Sequence, residues 1–545
     1  MEISRWTVIG FVCLQIIWIR FIGSAEPILL EPGKIQAVTL SQLGPQTFNV
    51  VGVKPSIHYL LMQVHSQGVP LVLKTTFPPS TESITGTSIG VVTFLRANDT
   101  NATWDVGIDY SNSNHTGNAT AVVFVQQFDE DAPVPGGCNQ VFELETDANI
   151  KLSSLPYQTK VWFQLANVGY HRKDSPPSCD SNSNLQYVLY VAYVKEGDHG
   201  FEAMFDTLQQ MLTPEMIESN AYKVLSMQDG GAQKSLLRVT ASEKQGAVFA
   251  VVVRDSKNGM ASSYVTAVTY SCDFLSGTCD FSFGVIESVL TIACGVVGLF
   301  LLLFGHNYLR TGFGIFGFIS VSLVSFSLLM RAGTLTDAAS LGIAAVLGLL
   351  GALIWLGVWW WLMFPTVSVL LPGMTAGYLV SSTLFFSPFA NLSWWASGLN
   401  YGLIFFCVVL LFPILLLWSP HTLNMVCCGL VGSFCVVMAI AIPLHSSLPY
   451  IILTSVHHAA VPGYSGVIVV YPFQTNDIIL AVLWGLLVIG GFLFQLYRQR
   501  GEVPFPNHHS LQASQAQASQ APAHQARHAQ LPSSSDDERT PLLGH

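Results

Sequence analysis

The sequence predicts a multi-domain membrane protein: an N-terminal all-β, sandwich-like ectodomain, a seven-helix transmembrane bundle and a disordered C-terminal tail. Three observations carry that prediction. Charge is scarce and uneven: Asp, Glu, Lys and Arg make up 10% of the 545 residues, against roughly 25% in soluble proteins. Lys257 is the last lysine, and between residue 283 and the tail the only acids are Glu287, Asp337 and Asp477. Seven apolar stretches, each near the roughly 20 residues that a bilayer requires, occupy that charge-poor half. Before them, β-branched and aromatic runs are separated by Gly, Pro, Asn and Ser clusters, the punctuation of antiparallel strands.

Residues 1–25 read as a signal peptide. Arg5 precedes an apolar run that ends in Gly23-Ser24-Ala25, small residues where a signal peptidase cuts. Arg20 interrupts the run, so an uncleaved anchor helix is the alternative. The stretch "NDTNATWDVGIDYSNSNHTGNAT", residues 98–120, holds four Asn-x-Ser/Thr acceptors at Asn98, Asn101, Asn114 and Asn118. Such a cluster has meaning only in the secretory lumen. The whole stretch therefore reads as a glycosylated outer surface, unavailable for core packing.

The external half divides into a first β-rich module, 26–130, and a second, 131–282, at "DEDAPVPGG" (129–137). Runs at 57–66, 89–97, 121–128, 160–166, 186–194, 246–255 and 263–271 read as strands of sandwich modules. One stretch in the second module has helical spacing: Phe201, Met204, Phe205, Leu208, Met211 and Leu212. Thr213-Pro214 stops it and is suited to cap the next turn. Cys138, Cys179, Cys272 and Cys279 read as two disulfides. Three pairings are open, and the order-preserving one, Cys138–Cys179 with Cys272–Cys279, is preferred. They contain no Cys-x-x-Cys pair of the kind zinc favours.

The membrane domain, 283–497, has spans near 284–304, 313–330, 341–363, 367–387, 399–418, 422–443 and 476–497. With the N-terminal half external, Arg310, Arg498 and Arg500 fall in the cytosol, as the positive-inside rule asks; Arg331 dissents. A fifth acceptor, Asn391, falls outside but close to the membrane, where modification is not expected. Trp359-Trp360-Trp361 suits interfacial anchoring. The cytosolic loops are too short for a G-protein-coupled receptor. An intramembrane metal hydrolase needs His and acidic ligands within the bundle. Here His306, His421, His445, His457 and His458 fall at span ends or in loops, with the His457-His458 pair expected to face water. Glu287, near its span's external end, is the acid read as intramembrane, which leaves no charged path for an ion-coupled transporter. Small residues do recur: Gly317, Gly373 and Gly429 are 56 apart, followed by Ser320, Ala376 and Gly432, and Gly377 extends the pattern. This spacing suits close helix packing in repeated hairpins.

Residues 498–545 read as a disordered cytosolic tail, rich in Gln, Ala, Ser and His. Glu538 with Leu542-Leu543 has the arrangement of an acidic dileucine sorting signal. Ser533, Ser534 and Ser535 precede acids and offer phosphorylation sites beside it.

"QVHSQ" (63–67), "TGTSIG" (85–90), "DAPVPGGCN" (131–139), "ANVGY" (166–170), "PPSCD" (176–180), "SSTLFFSPFANL" (381–392), "PFQTNDIILAVLWG" (472–485) and "ERTPLL" (538–543) resemble the transmembrane 7 superfamily member 3 family. The resemblance runs in order over nearly the whole chain. It implies a plasma-membrane glycoprotein with a pro-survival role: dampening endoplasmic-reticulum stress, protecting against cytokine-induced death, and a link to insulin secretion. It supplies no catalytic residues. The favoured reading is a non-enzymatic membrane protein without cofactor or metal, whose ectodomain binds an unknown protein partner. A transporter or channel for an uncharged solute is the alternative. Membrane lipid and clathrin-adaptor-type sorting machinery are the other expected partners. Nucleic acid is not, since the net charge is −10 and no Lys/Arg cluster appears.

Overall fold

The computed structural model describes residues 26–500 apart from internal gaps, the longer ones at 111–116, 139–147, 229–235 and 273–278. The expected signal peptide, Asn114, and the tail with Ser533, Ser534, Ser535, Glu538, Leu542 and Leu543 lie outside the described residues. The chain forms two compact units. One comprises residues up to Ser288 with Thr383–Tyr401 and Ile440–Leu480; the other holds Val289–Ser382, Gly402–Ala439 and the chain from Ala481.

Within the first unit, the N-terminal module is a two-sheet sandwich. One sheet orders the strands Ile28–Leu29, Gln46–Val50, Ala102–Ile108, Leu71–Phe77 and Ser83–Gly86. The other orders Gln36–Leu40, Ala119–Asp129, Ile57–Ser66 and Ser88–Phe94. Phe48, Leu60, Met62, Val64, Leu73 and Trp104 fill the space between them. Trp104 corrects the reading of 98–120 as outer surface only. Ala102, Trp104, Val106 and Ile108 share one face of a strand by its period of two, and that face is buried. The indole N–H of Trp104 donates to Thr93 Oγ1 at 2.9 Å. The acceptors flank this core strand, and Asn98, Asn101 and Asn118 are exposed.

The second module pairs Tyr222–Gln228, Leu185–Tyr193, Ala247–Asp255 and Ala261–Ser263 in one sheet, with Ala267–Thr269 also on Ala247–Asp255. Lys151–Leu155, Gln158–Trp162 and Leu236–Thr240 form another. Val161, Phe163, Tyr187, Val239, Phe249 and Tyr264 share their core. The run at 160–166 breaks around Phe163-Gln164, and its second part, Leu165–Asn167, pairs with Val134–Cys138. Helix α1, Phe201–Gln209, buries Met204 and Leu208. Helix α2, Pro214–Asn220, starts with Pro214, and Thr213 Oγ1 accepts from the Met216 N–H at 3.4 Å. That is the N-terminal cap the Thr-Pro pair encodes.

The two modules meet through the strand Ile57–Ser66. Tyr59 donates its hydroxyl to Pro133 O at 2.6 Å and stacks on Phe128. Gln63 Oε1 accepts from the Thr266 N–H at 3.3 Å. From the second module, the Arg172 guanidinium donates to the carbonyls of Ile57, Arg96 and Lys54. One delocalised cation thus satisfies several carbonyls of the first module.

The remaining helices are α3 Val285–Phe304, α4 Leu309–Ala332, α5 Asp337–Leu362, α6 Pro365–Phe386, α7 Gly398–Leu416, α8 Pro420–Ala441, α9 Tyr450–Ala460 and α10 Thr475–Arg498. All but α9 are long and apolar enough to cross a membrane, seven among the described residues. Helix α4 starts at Leu309 rather than 313, so Arg310 joins its first turn, 4.8 Å from the Trp359 ring.

In the second unit, close approaches occur at glycines. A Cβ at Gly317 would lie 2.9 Å from Trp355 Cβ, and one at Gly373 would lie 2.6 Å from Pro413 Cβ. At Gly377 it would collide with the backbone carbonyl of Val409. Gly429 differs: its nearest neighbours would be 3.8 and 3.9 Å away, and Gly432 is the residue of α8 pressed against Gly298. Gln495 adds a polar staple, donating to Leu302 O at 2.8 Å. Gly377→Ala should therefore destabilise the bundle by about 1–3 kcal/mol through overpacking. Gly429→Ala should be neutral or stabilising by up to about 1 kcal/mol through helix propensity. Thermal unfolding in one detergent compares them; equal responses would refute this assignment of contacts.

Candidate functional site

The segment between α8 and α10 is where the sequence reading departs furthest from the structure. Read as a loop, it holds α9, a short 3-10 turn at Tyr464–Gly466 and an extended run, and it packs on the second module. The run "GVIVVY" (466–471) is β-branched, and β-branched side chains favour extended backbone. Ile468 bridges Val239 in parallel. Its N–H donates to Arg238 O at 2.8 Å, and its carbonyl accepts from the Thr240 N–H at 3.0 Å. Thr240 Oγ1 accepts from the Val470 N–H at 3.0 Å and donates back to the Val470 carbonyl. The segment thus extends the sheet at the edge strand Leu236–Thr240, which satisfies backbone groups an open edge would leave bare.

Two further side chains fasten the run. Tyr193 donates its hydroxyl to Val470 O at 3.0 Å. Asn391, between α6 and α7, donates Nδ2 to Val469 O and accepts from the Val469 N–H, both at 2.8 Å. The nitrogen a glycan would need at Asn391 is engaged in this pair.

Below the run lies an aromatic layer. His457 is 4% exposed, its ring 4.3 Å from Tyr157 and 5.5 Å from Tyr464. His458 stacks on Tyr401 at 3.9 Å. The pair expected to face water is packed instead. Helix α9 turns both rings into the protein, and burial lowers each to about 4, so both are neutral at physiological pH.

The third part is polar and surrounds the start of α10. Gln474 donates Nε2 to Val194 O at 3.0 Å and accepts from the Glu196 N–H at 3.1 Å. Asp477 is fully buried in the first turn of α10, so Glu287, in the first turn of α3 as expected, is not the only acid within a span. Asp477 accepts from the Ser446 hydroxyl at 2.6 Å and from the N–H groups of Ser447 and Gln474 at 2.7 and 3.0 Å. Carboxylates in a first helical turn also meet the positive end of the helix dipole.

The structure does not gather the residues singled out from sequence into one place. Cys138–Cys179 and Cys272–Cys279 are bonded in the second module. Asn98, Asn101 and Asn118 lie on the first, and the glycines at helix contacts. No group of three or more His, Cys, Asp or Glu able to hold a metal occurs among the described residues. The sequence gives little sign of the residues that fasten the run and the start of α10 in a seam with the second module: Tyr193, Glu196, Thr240, Asn391, Gln474 and Asp477. One signal was available: "QTND" (474–477) puts four polar residues directly before an apolar span.

Three family models match the chain. They are described as TM7SF3-like, N-terminal immunoglobulin-like domain, at residues 26–126; TM7SF3-like, second immunoglobulin-like domain, at 133–275; and TM7S3/TM198-like domain, at 291–496. Transmembrane 7 superfamily member 3 of Mus musculus is 32% identical over 486 residues, 87% of this chain and 85% of its own length. The Rattus norvegicus protein gives the same values. That of Homo sapiens is 30% identical over 499 residues, covering 89% of this chain and 86% of its own.

Proposed function

This chain belongs to the transmembrane 7 superfamily member 3 family, and we propose that it is a non-enzymatic membrane protein whose glycosylated external modules bind a protein partner. The seam is the observation that supports this. A partner that shifts the second module would pull on the extended run and on the first turn of α10, which continues into the last span. Binding outside then has a covalent route inward. In the cell, the proposed role is pro-survival: attenuating endoplasmic-reticulum stress and the unfolded-protein response and protecting against cytokine-induced death, with a link to insulin secretion. The proposed location is the plasma membrane, N-terminus external, with glycans on Asn98, Asn101, Asn114 and Asn118. Glu538 with Leu542-Leu543 would engage clathrin adaptors and cycle the protein through endosomes.

Surface labelling of intact cells tests this reading. The labelled chain should lose the mass of several glycans on enzymatic deglycosylation, and Leu542→Ala with Leu543→Ala should enlarge the labelled pool. A peroxidase fused ahead of the first module should enrich one protein over an unrelated membrane control. No enrichment, or a chain absent from the surface, would sink the reading.

A further inference from the structure

Glu196 lies just beyond the strand Leu185–Tyr193, and its Oε2 accepts from Asn476 Nδ2 at 3.1 Å. Its other oxygen, Oε1, is buried and receives no donor. Gln474 accepts from the Glu196 N–H while its own N–H donates to Asp477 Oδ2, and Asn476, bonded to Glu196 Oε2, directly precedes Asp477, which brings the two carboxyl groups together. Asp477 Oδ1 already accepts two bonds, from Ser446 and Ser447, while Oδ2 accepts one, from Gln474. A carboxylate oxygen has room for about two such bonds, so one acceptor position remains on Oδ2. The ion pairs Lys34–Glu31, His171–Glu130 and Arg254–Glu218 all lie away from Glu196 and Asp477. Glu196 is half-buried and Asp477 fully buried, and two carboxylates that share a site disfavour each other's ionisation.

We propose that Glu196 and Asp477 share a single proton, carried on Glu196 Oε1 and donated to Asp477, and that this proton latches the second module to the first turn of α10. It accounts for the bare oxygen and the open acceptor position together. A cation is a poorer fit, because two of the three groups facing Asp477 are backbone N–H donors, which cannot ligate it.

Burial first, and then the bond to Asp477, raises the Glu196 carboxyl from 4.5 to about 8, with Asn476 opposing weakly. The other titratable groups on the elements packed here are Lys195, Asp198 and His199 on the Glu196 loop, His445 after α8, Lys244 beside His199, and Tyr193, Tyr450 and Tyr471. Because the docked state holds the proton more tightly, the latch is fully present at low pH. It is lost as pH rises through about 8. The latch belongs to the seam itself and needs no partner, so its test is independent of the partner-binding reading.

The experiment uses the full chain in lipid nanodiscs, titrated from neutral to alkaline pH. Hydrogen exchange at the Ile468 amide, corrected for intrinsic rate, should lose protection about tenfold per pH unit above the transition. An infrared carbonyl band from a protonated carboxyl should vanish over the same range. Glu196→Gln keeps a donor towards Asp477 and has no proton to lose. Its Ile468 protection should therefore be independent of pH and the band absent. A wild-type chain without the band at neutral pH, or a Gln variant that still titrates like wild type, would overturn the proposal. So would calcium or sodium restoring alkaline protection in wild type but not in the variant, which would mean a bound cation instead.

Discussion

Replacing Cys138 and Cys179 together by Ser is expected to destabilise the second module by about 4 kcal/mol and to stop most of its export. The bond spans 41 residues, and closing a loop of that length removes roughly this much freedom from the unfolded chain. Typical domains hold only about 5–15 kcal/mol in total, so the module would sit near its unfolding threshold. Cys138 also ends the strand Val134–Cys138, whose partner strand Leu165–Asn167 borders the core. Loss of the bond therefore loosens the module where it joins the first. Cys272–Cys279 spans only seven residues, and the same relation gives about 2.5 kcal/mol for it. Surface expression and thermal unfolding of the two double variants should rank in that order. The reverse ranking would show that loop closure is not what these bonds supply.

Acidification to about pH 4 should part the two external modules, with His65 contributing about 3 kcal/mol of the lost stability. His65 shares a strand face with Tyr59, Leu61 and Gln63, the side chains turned towards the second module. It is fully buried, and neither ring nitrogen has a partner. Burial alone depresses it from 6.5 to about 3. A histidine with a lowered folded value binds its proton more readily when unfolded. Its stability is present above 6.5 and drains away as pH falls towards 3. His457 and His458, lowered to about 4 by burial, act with the same sign at the seam. Glu196 has the opposite sign and does not contribute to the acid loss. His65→Leu removes two bare polar atoms, so it should be near neutral at pH 7 and should flatten the acid limb. An unchanged acid limb in that variant would assign the transition to other groups.

The long elements were legible because their residues agree with them locally. The run at 57–66 is the strand Ile57–Ser66 to the residue, and each expected span overlaps an observed helix. What escaped was set by partners far away in sequence. Trp104 sits among sugar acceptors, and only its pairing with Phe48 and Thr75 makes it core. The segment 466–471 has strand-forming composition, but the edge it completes lies more than 200 residues earlier, at Arg238 and Thr240. A reading that moves along the chain cannot see that edge. Length was the neglected clue, since about 30 residues without structure between two helices is rare in a compact protein. The glycine repeat shows the converse limit. Gly373 and Gly377 lie at tight contacts, while Gly429, an equal member of the pattern, has room for a methyl group.

The central claim is that the second module and the segment before α10 fold as one body. Cysteines at Val239 and Ile468, which pair across the sheet edge, test it most directly. In surface-exported protein carrying Val239→Cys and Ile468→Cys, mild oxidation should form an intramolecular bond. After proteolysis between the two positions, the fragments should stay together until reductant is added. Fragments that separate without reductant, from protein that is folded and exported, would contradict the seam.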